Sequence, residues 1–359
     1  MSRSLAALVF LGSALLTVTA GCAADTDDQG GDIESGEDAL THRARDAWFY
    51  DGPLPTLEKP VVTVSLKGHT ARVSGLLPAG MQAPNLPHLK SKVENGRTRI
   101  DAVYPIATGA QASYNAPAGT YDFHSARPWR PDGQTTSSFG TSFVTWGGFP
   151  FLAYNGGIAL HGPISTQSSA AGVDVFYLRR GMVSHGCNRM NGEHVTEVAH
   201  LVGVNMRKVW VADQIYEDPS TANAKVNVIK DAYDTYDGKP IDVDYATDTG
   251  VTRPQGSVMF GSWVATETAD GSDLPLSLKW EGGVGGKYYV FKEHALPNMV
   301  CSFPESLLQT ANAARNRKEG AMRTWAKANG GVVPKGICEK RACVIDKLKT
   351  STDANSCFR

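Results

Sequence analysis

From Val61 to Val211 the chain is a succession of short apolar, β-branched segments cut apart by Gly, Pro and Asn, and nothing else in the sequence constrains the fold as strongly. Val61-Val62-Thr63-Val64-Ser65-Leu66, Arg99-Ile100-Asp101-Ala102-Val103-Tyr104 and Val173-Asp174-Val175-Phe176-Tyr177-Leu178 each have the length of one strand. They are rich in residues that pack well on a pleated surface. Strands this short bury a face only by pairing with several neighbours, so a mainly β chain with a β-sandwich or barrel-like core is expected. A helical pattern from Glu193 to Val202 and a strand-like Lys208-Val209-Trp210-Val211 close the unit.

The front of the chain reads as an export signal: Arg3 supplies the positive end, Leu5 to Val18 the apolar core, and Thr19-Ala20-Gly21 the small residues before Cys22. Ala20-Gly21-Cys22 resembles a bacterial lipoprotein box, in which Cys22 is acylated and becomes the new N-terminus. Cleavage after Ala20 is the alternative, and leaves a secreted chain without lipid. The mature protein is expected in the periplasm or cell envelope, held at the outer or plasma membrane through lipid on Cys22. No other apolar run reaches the roughly 20 residues that cross a bilayer. Residues 23–60 form a lead-in, of which Ala23 to Leu40 is rich in Asp, Glu and Gly without a basic or aromatic residue, as a flexible acidic tether requires.

Past Ile215 the character changes. Tyr216 to Tyr245 is polar and aspartate-rich, strand-like pieces follow at Ser257-Val258-Met259-Phe260 and Lys287-Tyr288-Tyr289-Val290-Phe291, and Ser302-Phe303-Pro304-Glu305 fits a helix start with Gly330-Gly331 as its stop. Of the six cysteines, Cys301, Cys338, Cys343 and Cys357 cluster near the end of a chain expected to be exported, which reads as two disulfides. All three pairings stay open, a small loop closed by Cys338 and Cys343 among them. Residues 215–359 are therefore expected to be a smaller disulfide-stapled α+β region. The local excess of Lys and Arg from Cys301 to Arg359 reads as a solvated helix face, and the net charge of -1 argues against a nucleic-acid partner.

Chemistry concentrates in Ser184-His185-Gly186-Cys187-Asn188-Arg189-Met190. A thiol attacks a carbonyl only as thiolate, and an adjacent imidazole or cation generates one near neutral pH. Gly186 lets the backbone turn so that amides around Gly186 and Cys187 converge on an oxyanion. Arg189 suits a substrate carboxylate. A zinc pair and a buried structural cysteine are the competing readings. No paired C-x2-C or H-x3-H spacing supports zinc, so neither metal nor organic cofactor is expected.

These residues, with Ile158-Ala159-Leu160-His161-Gly162 upstream and Ala107-Thr108-Gly109 followed by Ala116-Pro117-Ala118-Gly119-Thr120-Tyr121, resemble the L,D-transpeptidase (YkuD-type) catalytic domain family over about residues 61–214. The resemblance implies a β-rich fold with the cysteine in a cleft. It implies Cys187 as nucleophile, His161 as base with its ring oriented by the Gly162 carbonyl, and His185 as a second imidazole beside the thiolate. Ser184, Arg189 and Tyr121 are expected to position substrate. Three features depart from the family: a longer Gly162–Ser184 segment, a long connection from Asp122 to Leu160, and Asn188 where Val or Ile is usual.

The activity implied is transfer of a peptidoglycan stem peptide, through a thioester on Cys187, to an amine, in crosslinking or remodelling of the cell wall. Water as acceptor makes the same chemistry an L,D-carboxypeptidase. A lipoprotein that binds peptidoglycan without turnover is the rival from another class. Trp129, Phe139, Phe143, Trp146 and Phe149 are read as core or as a lid over the cleft, and His124, His194 and His200 as structural.

Overall fold

The computed structural model describes residues 47–86, 88–109, 111–130, 133–137, 140–144, 146, 148–162, 165–168, 173–176, 181–190, 192–209, 222–230, 235–236, 239–240, 263–265, 289–291, 300–308 and 319–359. The expected signal segment with Cys22, the acidic tether, the strand at 257–260 and Trp210-Val211 lie outside the described residues.

The described chain is mainly β. A six-stranded sheet runs in the order Leu89–Glu94, Arg97–Pro105, Thr70–Leu76, Glu58–Ser65, Lys225–Ile229, Gly119–Asp122. Its pairs are antiparallel except that Lys225–Ile229 lies parallel to Glu58–Ser65. Val62, Val64, Val73, Ile100 and Ala102, all fully buried, supply the apolar face that the sequence pattern anticipates. The ladder slips between Glu58 and Val61, where Pro60 has no N–H to donate.

A four-stranded sheet in the order Asn188–Arg189, Ile158–His161, Phe151–Asn155, Ser125–Arg127 carries the residues of the chemical motif. The helix Gly192–Leu201 follows it, one residue earlier at each end than expected, and Val195, Val198, Ala199 and Leu201 join the core formed by both sheets. Glu197 of this helix is buried. Its Oε1 accepts the Tyr104 hydroxyl at 2.6 Å and lies 2.9 Å from His88 Nε2, which offsets the cost of burying a carboxylate.

The lead-in is not tether throughout. Ala47–Tyr50 pairs antiparallel with Val300–Phe303, and its side chains alternate between two cores. Trp48 and Tyr50 belong to the core of the sheets, whereas Ala47 and Phe49 belong to a second core with Phe303, Trp325, Ile337 and Val344. The period of two that makes a strand two-faced joins the C-terminal region to the sheets here. Trp129 lies in that second core and Phe149 in the first, so neither is a lid residue, and Phe139 and Phe143 have no described side chains.

The two disulfides are present as Cys301–Cys338 and Cys343–Cys357, which corrects the small Cys338–Cys343 loop. Their Cα atoms are 5.4 and 5.9 Å apart, because the chain folds back rather than because partners are near in sequence. The helix expected from Ser302 to the paired glycines is also corrected. Glu305–Leu308 and Ala321–Ala328 pack as separate helices, and Gly320 donates its N–H to the Leu308 carbonyl at 2.9 Å. The second helix ends at the stop expected, with Gly330 and Gly331 at φ of 75° and 86°. Lys208, at the start of the expected closing strand, makes an antiparallel bridge to Val332.

Candidate active site

The strand Ile158–His161 lies parallel to Asn188–Arg189, with Leu160 opposite Asn188 and His161 opposite Arg189. Residues separated by most of the Gly162–Ser184 segment are thereby brought side by side, and Met190 donates its N–H to the His161 carbonyl at 2.8 Å. Cys187 packs in a small cluster with Trp146, Phe151, Ala153 and Ala159. The Trp146 and Phe151 rings also face His161, with centroids 5.1 and 5.9 Å from its ring. The two aromatic rings are thus a wall shared by the sulfur and the imidazole.

His161 is buried, and its Nδ1 lies 2.5 Å from the Gly162 carbonyl oxygen. A carbonyl only accepts, so Nδ1 carries the proton and Nε2 holds the lone pair. Burial, then the charge of Arg189, and finally that of Arg130 push its pKa down to about 3 against the opposing pull of the Gly162 hydrogen bond. The imidazole is neutral across the physiological range, as a general base must be before it takes a proton. Gly162 is required for space, since a Cβ there would lie 2.3 Å from Phe149.

The motif loop is braced from within. Ser184 donates its hydroxyl to the Cys187 carbonyl at 2.6 Å, and its oxygen accepts the Gly186 N–H at 3.0 Å. Ser184, 2% exposed, thus braces the loop from within, and the Gly186 amide is bonded to it. Gly186 has φ of 126°, and a Cβ there would meet the Tyr114 carbonyl oxygen at 2.4 Å, so only glycine makes this turn without strain.

Upstream blocks serve the same loop. Ala107–Gly109 pairs parallel with Gly181–Ser184, which delivers the chain into the motif. Gly109 donates to Asn115 Oδ1 at 2.8 Å, which fixes the turn that carries Tyr114 over Gly186. Tyr121 donates its hydroxyl to the Pro117 carbonyl at 2.7 Å and packs on Tyr154. Tyr154 in turn donates to Asn188 Oδ1 at 2.6 Å, and Asn188 Nδ2 donates to the Ala107 carbonyl at 3.2 Å. The departure at Asn188 is therefore a buried polar tie from the four-stranded sheet to the Ala107–Gly109 strand. No spacing in the sequence announces it.

His185 is partly exposed, its ring 5.4 Å from that of Tyr114. Arg189 is 2% exposed, as buried as the His161 it lies opposite. Arg130, which sequence reasoning missed, places its guanidinium carbon 3.9 Å from the Trp146 ring centroid and 3.8 Å from that of Phe151. Among the described residues no cluster of three His, Cys, Asp or Glu side chains could hold a metal ion. A cavity of about 480 Å³ lined by Tyr50, Leu54, Met81, His200, Arg207 and Lys335 contains none of the expected site residues.

Cys187 is buried, with Sγ 3.4 Å from the Gly157 carbonyl oxygen. It is disulfide-bonded. A sulfur in this state is no nucleophile. Exchange with a thiol releases it as thiolate.

No curated protein matches the chain. One solved structure, a fused Zn-dependent amidase/peptidase/peptidoglycan-binding domain-containing protein from Clostridium acetobutylicum ATCC 824, is similar at 10% identity and a TM-score of 0.26, covering 49% of this chain and 54% of that one. The chain thus spans about half the length of that structure. Residues 85–211 match the family model of the L,D-transpeptidase catalytic domain, YkuD, and Thr108-Gly109, His161 and Ser184-His185-Gly186-Cys187, assembled around one loop, all lie within that match.

Proposed function

We propose that this protein is an exported L,D-transpeptidase acting on peptidoglycan stem peptides. The observation that carries the reading is the neutral His161, its Nδ1 held by the Gly162 carbonyl, on the strand that pairs with the one following Cys187. In the reaction Nε2 takes the thiol proton as Sγ attacks the carbonyl of the L-centre. The C–N bond of the L,D-peptide link then breaks, and the same proton leaves on the D-amino acid nitrogen. The stem stays on Cys187 as a thioester until an amine of a neighbouring stem takes it.

The Cys187 amide is the oxyanion donor of this reading, His185 the second imidazole, and Arg189 a cation whose charge acts on His161. Ser184 and Gly186 act by shaping the loop. A β-sandwich or barrel-like arrangement of the sheets belongs to the same reading, as does retention at a membrane through lipid on Cys22. The test is to incubate reduced protein with defined stem tetrapeptides and follow products by mass spectrometry. Crosslinked dimer with released D-alanine supports transpeptidation, and tripeptide alone supports water as acceptor.

A further inference from the structure

The half-open cavity of about 480 Å³ lies where three segments meet: the turn after the Ala47–Tyr50 strand, the chain leaving the helix Gly192–Leu201, and the approach to Cys338. Hydrogen bonds fix all three. The Tyr50 hydroxyl accepts the Leu54 N–H at 3.2 Å, Leu57 donates to the Leu201 carbonyl at 2.9 Å, and Thr56 donates its hydroxyl to the His200 carbonyl at 3.1 Å. Val333 donates to the Arg207 carbonyl at 2.9 Å, which brings Lys335 to the same cavity. Walls tied in this way form the cavity before any ligand arrives. Leu54, Met81, Val204 and Met206 make part of the lining apolar, and Met81, 38% exposed, is one of three large apolar side chains left exposed among the described residues.

The charges of the lining do not balance. Arg207 and Lys335 both line the cavity, and neither side chain forms an ion pair or hydrogen bond among the described residues. Arg207 is partly buried, where a guanidinium usually finds an acceptor. Asp51 is the one carboxylate among the described lining residues, and its Oδ2 lies 3.5 Å from the Cys338 nitrogen. His200 is neutral near pH 7, since burial pushes its pKa down to about 4. Two cations against one anion leave a single positive charge to be matched. A carboxylate supplies one negative charge, whereas a phosphate monoester carries about 1.5 to 2 at pH 7. We propose that this cavity binds a small monocarboxylate with an apolar body, its charge held by Arg207 and Lys335 and its body packed on Leu54, Met81, Val204 and Met206. The site shares no residue with the one around Cys187. A ligand there touches the lead-in, the end of the helix and the C-terminal region at once, so occupancy ties that region to the sheets.

Calorimetry on the whole protein tests this with hippurate, a monocarboxylate carrying an aromatic acyl group, against hippuramide, acetate and phenyl phosphate. Hippurate should bind about 10-fold or more tightly than hippuramide, as a charge-assisted hydrogen-bonded pair predicts, and more tightly than acetate, which lacks the apolar body. Arg207→Gln should remove the preference for the acid while leaving hippuramide affinity within about threefold, and Lys335→Met should reduce the preference in part. Met81→Glu brings a second carboxylate to the cavity from an exposed position, and should weaken hippurate about 10-fold or more even if Arg207→Gln does not fold. Amide exchange at residues 50–57 and 333–337 should slow when hippurate is bound. Hippurate affinity weaker than about 10 mM overturns the proposal. So does an acid preference unchanged in Arg207→Gln and Met81→Glu, which would put the ligand elsewhere. Equal weakening of hippurate and hippuramide in Arg207→Gln overturns it too, since Arg207 would then only hold the walls. Tighter binding of phenyl phosphate than of hippurate would refute the single-charge argument, and acetate matching hippurate would refute the apolar one.

Discussion

The depressed pKa of His161 has a direct kinetic consequence. An imidazole at the ordinary value of about 6.5 is roughly 3% neutral at pH 5 and about three-quarters neutral at pH 7, so a rate that needs the neutral ring falls about 25-fold between them. With His161 held at about 3, nearly all of it stays neutral at pH 5 and the rate loses almost nothing. The difference between these values corresponds to about 5 kcal/mol, most of it from excluding water around a ring with Trp146 and Phe151 against it. The assay is the rate at which a carbapenem, which by the family resemblance acylates the thiolate, adds its mass to reduced Cys187 from pH 5 to pH 7.5. Running the scan on His185→Ala as well removes the partly exposed imidazole from the profile. A flat profile is expected in both proteins. An acid limb centred near pH 6.5 that persists in His185→Ala would mean that the base is a solvated histidine, and the reasoning from burial would fail.

The same burial predicts the stability profile, because the unfolded chain binds protons on His161 and His200 below about pH 6.5 while the folded chain does so only near 3 and 4. The stability these two groups contribute is fully present above pH 6.5 and is lost as pH falls, by up to about 1.4 kcal/mol per pH unit for each, and thermal melts of His161→Gln should show a shallower decline. Gly186→Ala should cost about 1 to 3 kcal/mol in denaturant melts and slow acylation, since the Cβ meets the Tyr114 carbonyl; unchanged melts would refute the strain. Replacing Cys301 and Cys338 by Ser should cost about 2 to 5 kcal/mol and loosen the Ala47–Tyr50 strand, read as faster amide exchange there; exchange confined to 300–359 would contradict the shared strand.

The parts of this protein legible in its sequence are those governed by local pattern. Val62, Val64, Ile100 and Ala102 alternate as strand residues, and the structure buries them. Thr108-Gly109, His161 and Cys187 stand in blocks whose order carried the resemblance, and they converge on one loop. What escaped depends on long-range contact. Ser184 and Gly186 satisfy one another, which the residue types permit but do not dictate. Asn188 meets Tyr154 across 34 positions, and Arg130 reaches His161 only through two rings from other segments. The disulfide pairing followed from how the C-terminal helices fold back, and Phe49 from which core lay on each side of its strand.

The central claim is that Cys187, once reduced, forms a thioester with His161 as its base, and intact-mass measurement of the acyl-enzyme tests it most directly. Incubated with a stem tetrapeptide, the reduced protein should gain the mass of the tripeptide acyl group, on Cys187 by peptide mapping. His161→Ala should slow that gain by orders of magnitude, about 10²-fold or more for loss of a general base, and His185→Ala should slow it less. Acylation that persists in Cys187→Ala, or that proceeds in His161→Ala at the parent rate while His185→Ala is dead, would contradict the account.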